Sequence, residues 1–298
     1  MSFTPPIKGE SLKLIFICLT GWLCFSLGDA SVKYLANYYS VPYLIVTASI
    51  LNFLILCIFI YVKKGWPGFI AKKKKLMLLR GFLTGNISFF IVSAFSHIPM
   101  ADVYGVTFSV PFIAVIFAFF FLKESVGWHR WLAVIIGFVG VTVVIGPNFD
   151  VNGTGFYYAL GAAALMGGSV ITMRMIGKGE YMPLVYLYNF GGMLIINTLI
   201  GWDVISQFPM PDMKHLPVII ANALLILAAI GMTTYALAHA QSTASVAPLL
   251  YSQALWGVLL GYFLFSDIPN VSTIIGLSIV VGSGLYMIHR ERQLGKIK

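Results

Sequence analysis

The chain has 298 residues, of which 59% are hydrophobic and only 10% are charged. Soluble globular proteins carry roughly 25% charged residues, so folding alone would not bury this much apolar surface. The composition excludes a soluble protein and predicts an all-α integral membrane protein with the lipid bilayer as its surroundings. The net charge of +9 is therefore interpreted as a topology signal and not as nucleic-acid binding.

Ten apolar runs are long enough to cross a bilayer, which takes about 20 residues each. In chain order, helices 1 to 10 are predicted over Leu12–Leu35, Pro42–Val62, Leu76–Ser96, Met100–Leu122, Trp128–Gly146, Gly155–Ile176, Pro183–Trp202, Pro217–Ala238, Thr243–Ser266 and Pro269–Ile288. Several runs begin with proline, which suits the first turn of a helix. Pro111 and Pro248 lie inside helices 4 and 9, where they predict static kinks or hinges. The first run is interpreted as a spanning helix and not as a cleaved signal peptide.

The distribution of lysine and arginine predicts the orientation. If the N-terminus is cytoplasmic, all 19 basic residues except Lys33 and Lys214 fall on the cytoplasmic side. Cytoplasmic loops of membrane proteins carry this excess of positive charge. We therefore expect a multi-pass protein of the cell inner membrane with both termini in the cytoplasm.

The same hairpin pattern occurs twice, at the end of each half of the chain. Ala101 corresponds to Ala244 and Glu124 to Asp267, and the two pairs have the same spacing along the chain. Ten helices divide into five plus five, and an odd number makes the second half enter the membrane from the opposite side. The pattern therefore predicts two inverted five-helix repeats, an arrangement typical of secondary transporters that bind substrate near mid-membrane.

Polar and aromatic side chains recur near the middle of several helices, where no water is available to satisfy them. Two interpretations remain open: hydrogen bonds between helices, worth about 0.6 kcal/mol each, or a shared substrate cavity. The predicted substrate-binding residues are Trp22, Asn86, Tyr104, Phe108, Tyr188, Asn189, Tyr251, Gln253 and Trp256.

Charged residues inside or at the ends of helices are the sharper signal, because charge in a membrane is costly and usually functional. Asp29 and Lys33 lie four residues apart on one face of helix 1, which fits either an interfacial ion pair or an outer gate. Asp102 begins helix 4, where the helix dipole favours an acid. These three residues are the candidates for coupling or gating. Glu124 and Asp267 are interpreted as structural residues that cap the following helix.

The sequence predicts no metal site and no cofactor. Cys18, Cys24 and Cys57 lie in apolar runs without the spacing of a zinc site or a disulfide framework. His97 and His239 end helices 3 and 8, where the helix dipole favours a histidine, so no coupling role is assigned to them.

Several motifs recur in order and carry a family resemblance. They are PMADVY at Pro99–Tyr104, FSVP at Phe108–Pro111, LKE at Leu122–Glu124, GFVGV at Gly137–Val141, and in the second half ASVAPLLYSQALWGVLLGYFLFSDIPN followed by SGLY and HRER. With these motifs the chain resembles the EamA-type drug/metabolite transporter superfamily. The Gly28-Asp29-Ala30 and Ala101-Asp102 patterns resemble a bacterial branch that includes riboflavin and S-adenosylmethionine transporters.

The resemblance implies an EamA repeat over residues 1–146 and a second one over residues 155–290. It also implies a cavity lined by helices 1, 3, 4, 6, 8 and 9, which leaves Asn52 on helix 2 outside. The expected function is secondary transport of a small polar organic metabolite by alternating access, with proton coupling left open. One departure is that Thr47-Ala48-Ser49 stands where many relatives place an arginine early in helix 2.

Other functions were weighed against this one. An amino-acid or drug exporter would share the fold, since the motifs do not distinguish export from import. A membrane-embedded enzyme lacks support, because no cluster of catalytic acids, bases and nucleophiles is present. An assembly subunit would not need the polar groups in mid-membrane. The expected partners are a small metabolite and lipid, with the chain acting as a monomer or homodimer.

Overall fold

The structure is a computed structural model that describes residues 12–146, 149–206, 210–240 and 246–293. Within these ranges the chain is helical and contains no strand. Ten helices are long and apolar enough to cross a membrane. The predicted all-α membrane fold is therefore confirmed.

The ten spanning helices match the predicted runs closely. They cover Leu12–Leu35, Val41–Lys64, Lys74–His97, Met100–Leu122, Trp128–Ile145, Gly153–Ile176, Met182–Ile200, Leu216–His239, Pro248–Phe265 and Val271–Arg290. Helix 6 extends upstream to Phe149, and helix 10 continues to Gln293. Helix 10 begins at Val271 and not at the predicted Pro269. The predicted start of helix 9 at Thr243, and Ala244 with it, lies outside the described residues.

Short helices occupy some of the loops. They cover Trp66–Phe69, Gly177–Gly179 and Trp202–Ile205. The prolines Pro42, Pro183 and Pro217 stand in the first turns of helices 2, 7 and 8, as the sequence predicted. A proline is tolerated there because its missing N–H has no intrahelical partner in any case.

Pro111 and Pro248 differ in their surroundings. Helix 4 consists of Met100–Thr107 and Val110–Leu122, and the two residues between them form a tight turn. Pro111 has no N–H to donate, so this break follows from the sequence. The described part of helix 9 begins as the 3-10 turn Ala247–Tyr251, which contains Pro248, and becomes α-helical at Ser252. The predicted kink is therefore seen at Pro111, whereas the kink at Pro248 stays a prediction.

The same helix end occurs once in each half. Lys123 ends helix 4 with φ of 54°, and Ser266 ends helix 9 with φ of 55°, both in the left-handed region. In each case the next residue, Glu124 or Asp267, donates its backbone N–H to a carbonyl six residues earlier. A left-handed residue followed by an N–H that bonds back to a carbonyl of the helix is a common way for a helix to end. Lys123 and Ser266 immediately precede Glu124 and Asp267, so they share the repeat spacing found in the sequence.

The helices of the two halves interleave. Helix 1 packs along helix 8 and helix 3 along helix 6; helix 1 also contacts helix 9, and helix 4 contacts helix 6. Helix 2 packs on helix 7, and helix 5 on helix 10. These contacts follow the repeat: if five is added to or subtracted from both helix numbers of a pair, the result is again a pair in contact. This packing supports a two-fold relation between halves, while the inverted orientation and the repeat boundaries stay predictions.

Glycines allow two of these pairs to approach closely. A Cβ added at Gly276 on helix 10 would lie 2.6 Å from the carbonyl oxygen of Gly140 on helix 5. A Cβ at Gly85 on helix 3 would lie 2.5 Å from the carbonyl oxygen of Gly192 on helix 7. Small residues at such contacts let helix backbones meet in a membrane, where packing drives association.

Candidate functional site

A carboxylate on helix 1 forms the centre of a polar network that joins three helices. The hydroxyl of Tyr104 on helix 4 donates to Asp29 Oδ2 at 2.6 Å. The side-chain amide of Gln253 on helix 9 donates to the same oxygen at 3.2 Å. The Ser26 hydroxyl, one turn earlier on helix 1, donates to the Gln253 backbone carbonyl at 3.4 Å. Both halves of the chain therefore supply donors to one acidic group.

Packing fixes the tyrosine in this network. Tyr104 is only 3% exposed. Its ring stacks on Phe108 at a centroid distance of 5.8 Å and meets Phe95 edge-on at 5.7 Å. It also lies directly against Gly257 on helix 9, which has no side chain to obstruct it. The hydroxyl is thereby held at a defined position beside Asp29.

Phe108 and Tyr251 form a contact between helices 4 and 9. Phe108 lies in the turn that divides helix 4, and Tyr251 ends the 3-10 turn of helix 9. The two residues have the repeat spacing, and their ring centroids are 5.4 Å apart in an edge-on contact. The buried Tyr251 hydroxyl has no hydrogen-bond partner among the described residues. The same holds for the indole N–H groups of Trp22 and Trp256. Buried donors are normally satisfied, so these three are candidates for contact with a polar ligand or water.

Lys33 forms an ion pair with Asp267, at the end of the bundle where helix 1 ends. The Lys33 Nζ lies 2.5 Å from Asp267 Oδ2, 3.5 Å from the Ile98 carbonyl oxygen and 5.0 Å from the Phe265 ring centre. We call this end the outer end, following the predicted topology. The predicted alternative of an Asp29–Lys33 pair is wrong, because tertiary contacts give each residue a different partner. The role of Asp267 as a structural acid that serves the start of helix 10 stays a prediction.

Asp102 lies in the same region but is more deeply buried, with 4% of its surface exposed. Its carboxylate accepts a hydrogen bond from the Thr273 hydroxyl on helix 10 at 2.5 Å. Asp267 and Lys33 are close enough to interact with it electrostatically. Asp102 thus connects the first turn of helix 4, where the sequence placed it, to the first turn of helix 10.

The opposite end of the bundle, called the inner end, carries a second ion pair. Arg174 Nη2, in the last turn of helix 6, lies 3.0 Å from Glu124 Oε1. Glu124 corresponds to Asp267, and Arg174 ends helix 6 as Lys33 ends helix 1. The two pairs therefore occupy equivalent places in the two halves. The predicted capping role of Glu124 is wrong, because its side chain reaches helix 6. This pair is more exposed than the outer one, at 50% and 35% against 15% and 19%.

The chain is similar in sequence to known membrane transporters. Residues 12–146 match the EamA-like transporter family. The chain is 26% identical over 220 residues to the S-adenosylmethionine uptake transporter of Rickettsia felis, covering 71% of this chain and 72% of that one. It is 24% identical over 210 residues to the riboflavin transporter of Brucella anthropi, covering 67% and 71%.

The first half of the chain is thus similar to the EamA-like transporter family, and much of the chain is similar to named metabolite transporters. The chain is also 26% identical over 215 residues to human solute carrier family 35 member G1, covering 67% of this chain and 58% of the human protein. A solved crystal structure with 15% sequence identity superposes with a TM-score of 0.59 over 95% of this chain and 97% of that one. At that identity the match shows a shared fold.

Three of the predicted substrate-binding residues are not part of the Asp29 network. Asn86 donates to the Phe82 carbonyl of its own helix at 2.9 Å. Asn189 accepts from the Thr84 hydroxyl at 3.3 Å. Tyr188 lines an apolar groove of about 400 Å³ between helices 2, 3 and 7. A substrate-binding role for these three stays a prediction.

One residue of interest was missed by the sequence analysis. Arg80 counted only as a cytoplasmic charge, yet it lies six residues inside helix 3. Its Nη1 donates to the carbonyl oxygen of Ser169 on helix 6 at 2.8 Å and to the Ser169 hydroxyl at 3.1 Å. The available signal was its position: Arg80 stands in an apolar run, several residues after the lysines that end the preceding loop.

Proposed function

We propose that this protein is an EamA-type secondary transporter that moves a small polar organic metabolite across the inner membrane by alternating access. The observation that carries the proposal is the Asp29 carboxylate, held by Tyr104 from one half of the chain and by Gln253 from the other. A group bound there contacts both halves at once. Relative movement of the halves would then change the end of the bundle from which the group is reached.

The chemistry of the site favours a substrate that combines a cation with a flat ring. Asp29 supplies a negative charge in a low-dielectric environment, where a cation is attracted strongly. Tyr104 contacts Asp29 directly, and further aromatic side chains on the same three helices offer faces for stacking and for cation–π contacts. The rings concerned are Trp22, Tyr104, Phe108, Tyr251 and Trp256.

S-adenosylmethionine is the first substrate to test, because it carries a sulfonium, an amino group and an adenine ring. Several relatives are named for its uptake. Riboflavin, after which another relative is named, has a flat ring but no positive charge. It therefore makes less use of Asp29 and serves as the second candidate.

The test is uptake of labelled S-adenosylmethionine into proteoliposomes. Asp29→Asn, Gln253→Ala and Trp256→Ala are expected to abolish uptake or lower it at least tenfold, while the purified variants keep their unliganded Tm. Asp203→Asn serves as the control, because this acid lies in the short helix Trp202–Ile205 beyond the end of helix 7. Normal uptake by both Gln253→Ala and Trp256→Ala would show that these residues only pack helices together.

Proton coupling is tested in the same assay. If Asp29 carries the coupled proton, Asp29→Asn flattens the dependence of transport on pH while substrate binding survives. The structure changes one control that the sequence suggested: neutralising Lys33 together with Asp29 compensates nothing, since Lys33 pairs with Asp267. A pH dependence that persists in Asp29→Asn assigns the proton to another group, with Asp102 as the next candidate.

A further inference from the structure

Arg80 is a positive charge placed inside the membrane-spanning part of helix 3. It lies six residues after the helix start at Lys74, about 9 Å along the axis at the ~1.5 Å rise of an α-helix. Its contacts with Ser169 place it between helix 3 and helix 6, and it is half-buried. Charged residues at such positions usually line a substrate path, because their desolvation is costly.

This arginine has no counter-charge in the part of the chain that the structure describes. The ion pairs seen there join Lys33 to Asp267 and Arg174 to Glu124. The nearby Lys73 does not compete for an anion, because its Nζ donates to the last carbonyls of helix 6 at 2.8 and 2.9 Å. An uncompensated guanidinium is unfavourable in a low-dielectric site unless an anion arrives to pair with it.

One edge of the guanidinium is free of hydrogen bonds. Both bonds to Ser169 come from Nη1. Nε is buried and has no acceptor among the described residues, and no hydrogen bond from Nη2 is seen there either. Nε and Nη2 form a planar pair of donors with the spacing of the two oxygens of a carboxylate. The unused edge therefore has the geometry for a bidentate contact.

Other polar groups lie at the same level of the bundle. The Thr84 hydroxyl, one turn after Arg80, donates to the Arg80 backbone carbonyl at 2.7 Å and lies 3.3 Å from Asn189 Oδ1 on helix 7. Asn189 thus brings a side-chain amide to this level of the bundle. On the neighbouring helices, the hydroxyls of Tyr186 and Thr234 lie 2.5 Å apart. Helices 3, 6, 7 and 8 thus all contribute polar atoms around one unpaired cation.

We propose that Arg80, assisted by Asn189, binds a carboxylate of the transported metabolite in the inner third of the membrane. The substrate class is then a metabolite that carries a carboxylate, which Arg80 binds at a level of the bundle well inside that of Asp29, so the two residues act on the substrate in succession and not at once. A carboxylate is favoured over a phosphate dianion because one guanidinium edge matches one unit of negative charge. This inference rests on the proposed transport function and specifies its substrate.

The test compares two ligands that differ only in the carboxylate: S-adenosylmethionine and its decarboxylated form. Binding of each to purified protein is measured by equilibrium titration. Arg80→Gln is expected to weaken S-adenosylmethionine binding roughly 10- to 100-fold, the range for a lost charge-assisted hydrogen-bond pair. Binding of the decarboxylated form should change less than about twofold. Arg80→Lys should fall between, because lysine keeps the charge but not the planar edge.

Controls separate this role from a structural one. Lys75→Gln removes an exposed charge from the first turn of the same helix and should affect neither ligand. Asn189→Ala should weaken S-adenosylmethionine binding selectively. The unliganded Tm of Arg80→Gln should be unchanged or higher, since an unpaired charge has been removed from the membrane. A lower Tm with an equal loss for both ligands would overturn the proposal and make Arg80 a packing residue.

The outcome also distinguishes failure of this inference from failure of the proposed function. If wild-type protein binds S-adenosylmethionine and Arg80→Gln binds it equally well, only the carboxylate site is wrong. If wild-type protein binds neither ligand, S-adenosylmethionine is not the substrate. A thermal-shift screen of matched acids and amides, such as methionine and methioninamide, then decides the carboxylate site. Stabilisation by no acid, or equal stabilisation in wild type and Arg80→Gln, overturns it.

Discussion

The ion pair between Lys33 and Asp267 is expected to hold the outer end of the bundle closed. It connects the end of helix 1 to the turn between helices 9 and 10, and Lys33 also reaches the carbonyl of Ile98 before helix 4. Lys33→Met keeps most of the side-chain length and removes the charge. Asp267 is then partly buried without its partner. Opening the outer end lets water solvate its carboxylate, so the open state becomes more favourable.

The burial of the pair sets the size of the effect. Exposed pairs contribute about 0.2–1 kcal/mol, and breaking a buried pair costs about 3–5 kcal/mol. The side chains here are 15% and 19% exposed, so a loss of roughly 1.5–3 kcal/mol is reasonable for this environment. Since ~1.4 kcal/mol is a factor of ten, the outward-open population should rise about 10- to 100-fold in Lys33→Met.

Labelling of a buried cysteine measures this population. Ser26 lies seven residues before Lys33 on helix 1 and is fully buried, so Ser26→Cys reacts with a membrane-impermeant maleimide only when the outer end opens. The background replaces Cys18, Cys24 and Cys57 by alanine. With reagent added outside intact cells, Lys33→Met should raise the labelling rate at least about tenfold.

Three further variants make the result decisive. Asp267→Asn should act in the same direction, and the double variant Lys33→Met/Asp267→Asn should add little, because both single changes remove one interaction. Arg174→Met breaks the equivalent pair at the inner end and should not raise external labelling. An unchanged labelling rate in Lys33→Met, or additive effects in the double variant, would refute the role of this pair as an outer latch.

Three other predictions concern packing and topology. Gly257→Val should abolish uptake, because its side chain would overlap the Tyr104 ring; Gly231→Ala, where an added methyl meets nothing within 4 Å, should transport normally. Gly192→Leu should lower the yield of monodisperse protein in size-exclusion chromatography, since its Cβ would collide with the backbone of helix 3, and a normal yield would contradict this contact. A cysteine at Asn152 should react with an external reagent and tags at both termini should report the cytoplasm; a cytoplasmic Asn152 would overturn the predicted topology.

The fold was predictable from the sequence because membrane spans are set by length and hydrophobicity. The position of Pro111 also predicted where helix 4 is interrupted. In each case the signal is local in the chain. Short loops and apolar runs decide where a helix begins and ends, and the structure changes these limits by only a few residues.

The candidate site was only partly predictable, because partners depend on which helix faces meet. Asp29 and Lys33 share one face of helix 1, and that spacing suggested an ion pair. Their actual partners lie on other helices: Gln253 follows Asp29 by 224 residues, and Asp267 follows Lys33 by 234. Arg80 was overlooked for a related reason, since counting charges for topology does not show which of them lie inside the bundle.

The interleaving of the two halves has a consequence for the synthesis and membrane insertion of the protein. Helix 1 enters the membrane first, but Gln253 and Asp267, which pair with Asp29 and Lys33, are among the last parts of the bundle to be made. At about 5–20 residues per second, the ribosome needs roughly 10–50 s to supply them. During that interval Asp29 and Lys33 of the newly inserted helix must be stabilised by the insertion machinery or by lipid headgroups. Biogenesis, and not only stability, therefore limits which substitutions in helix 1 a cell tolerates.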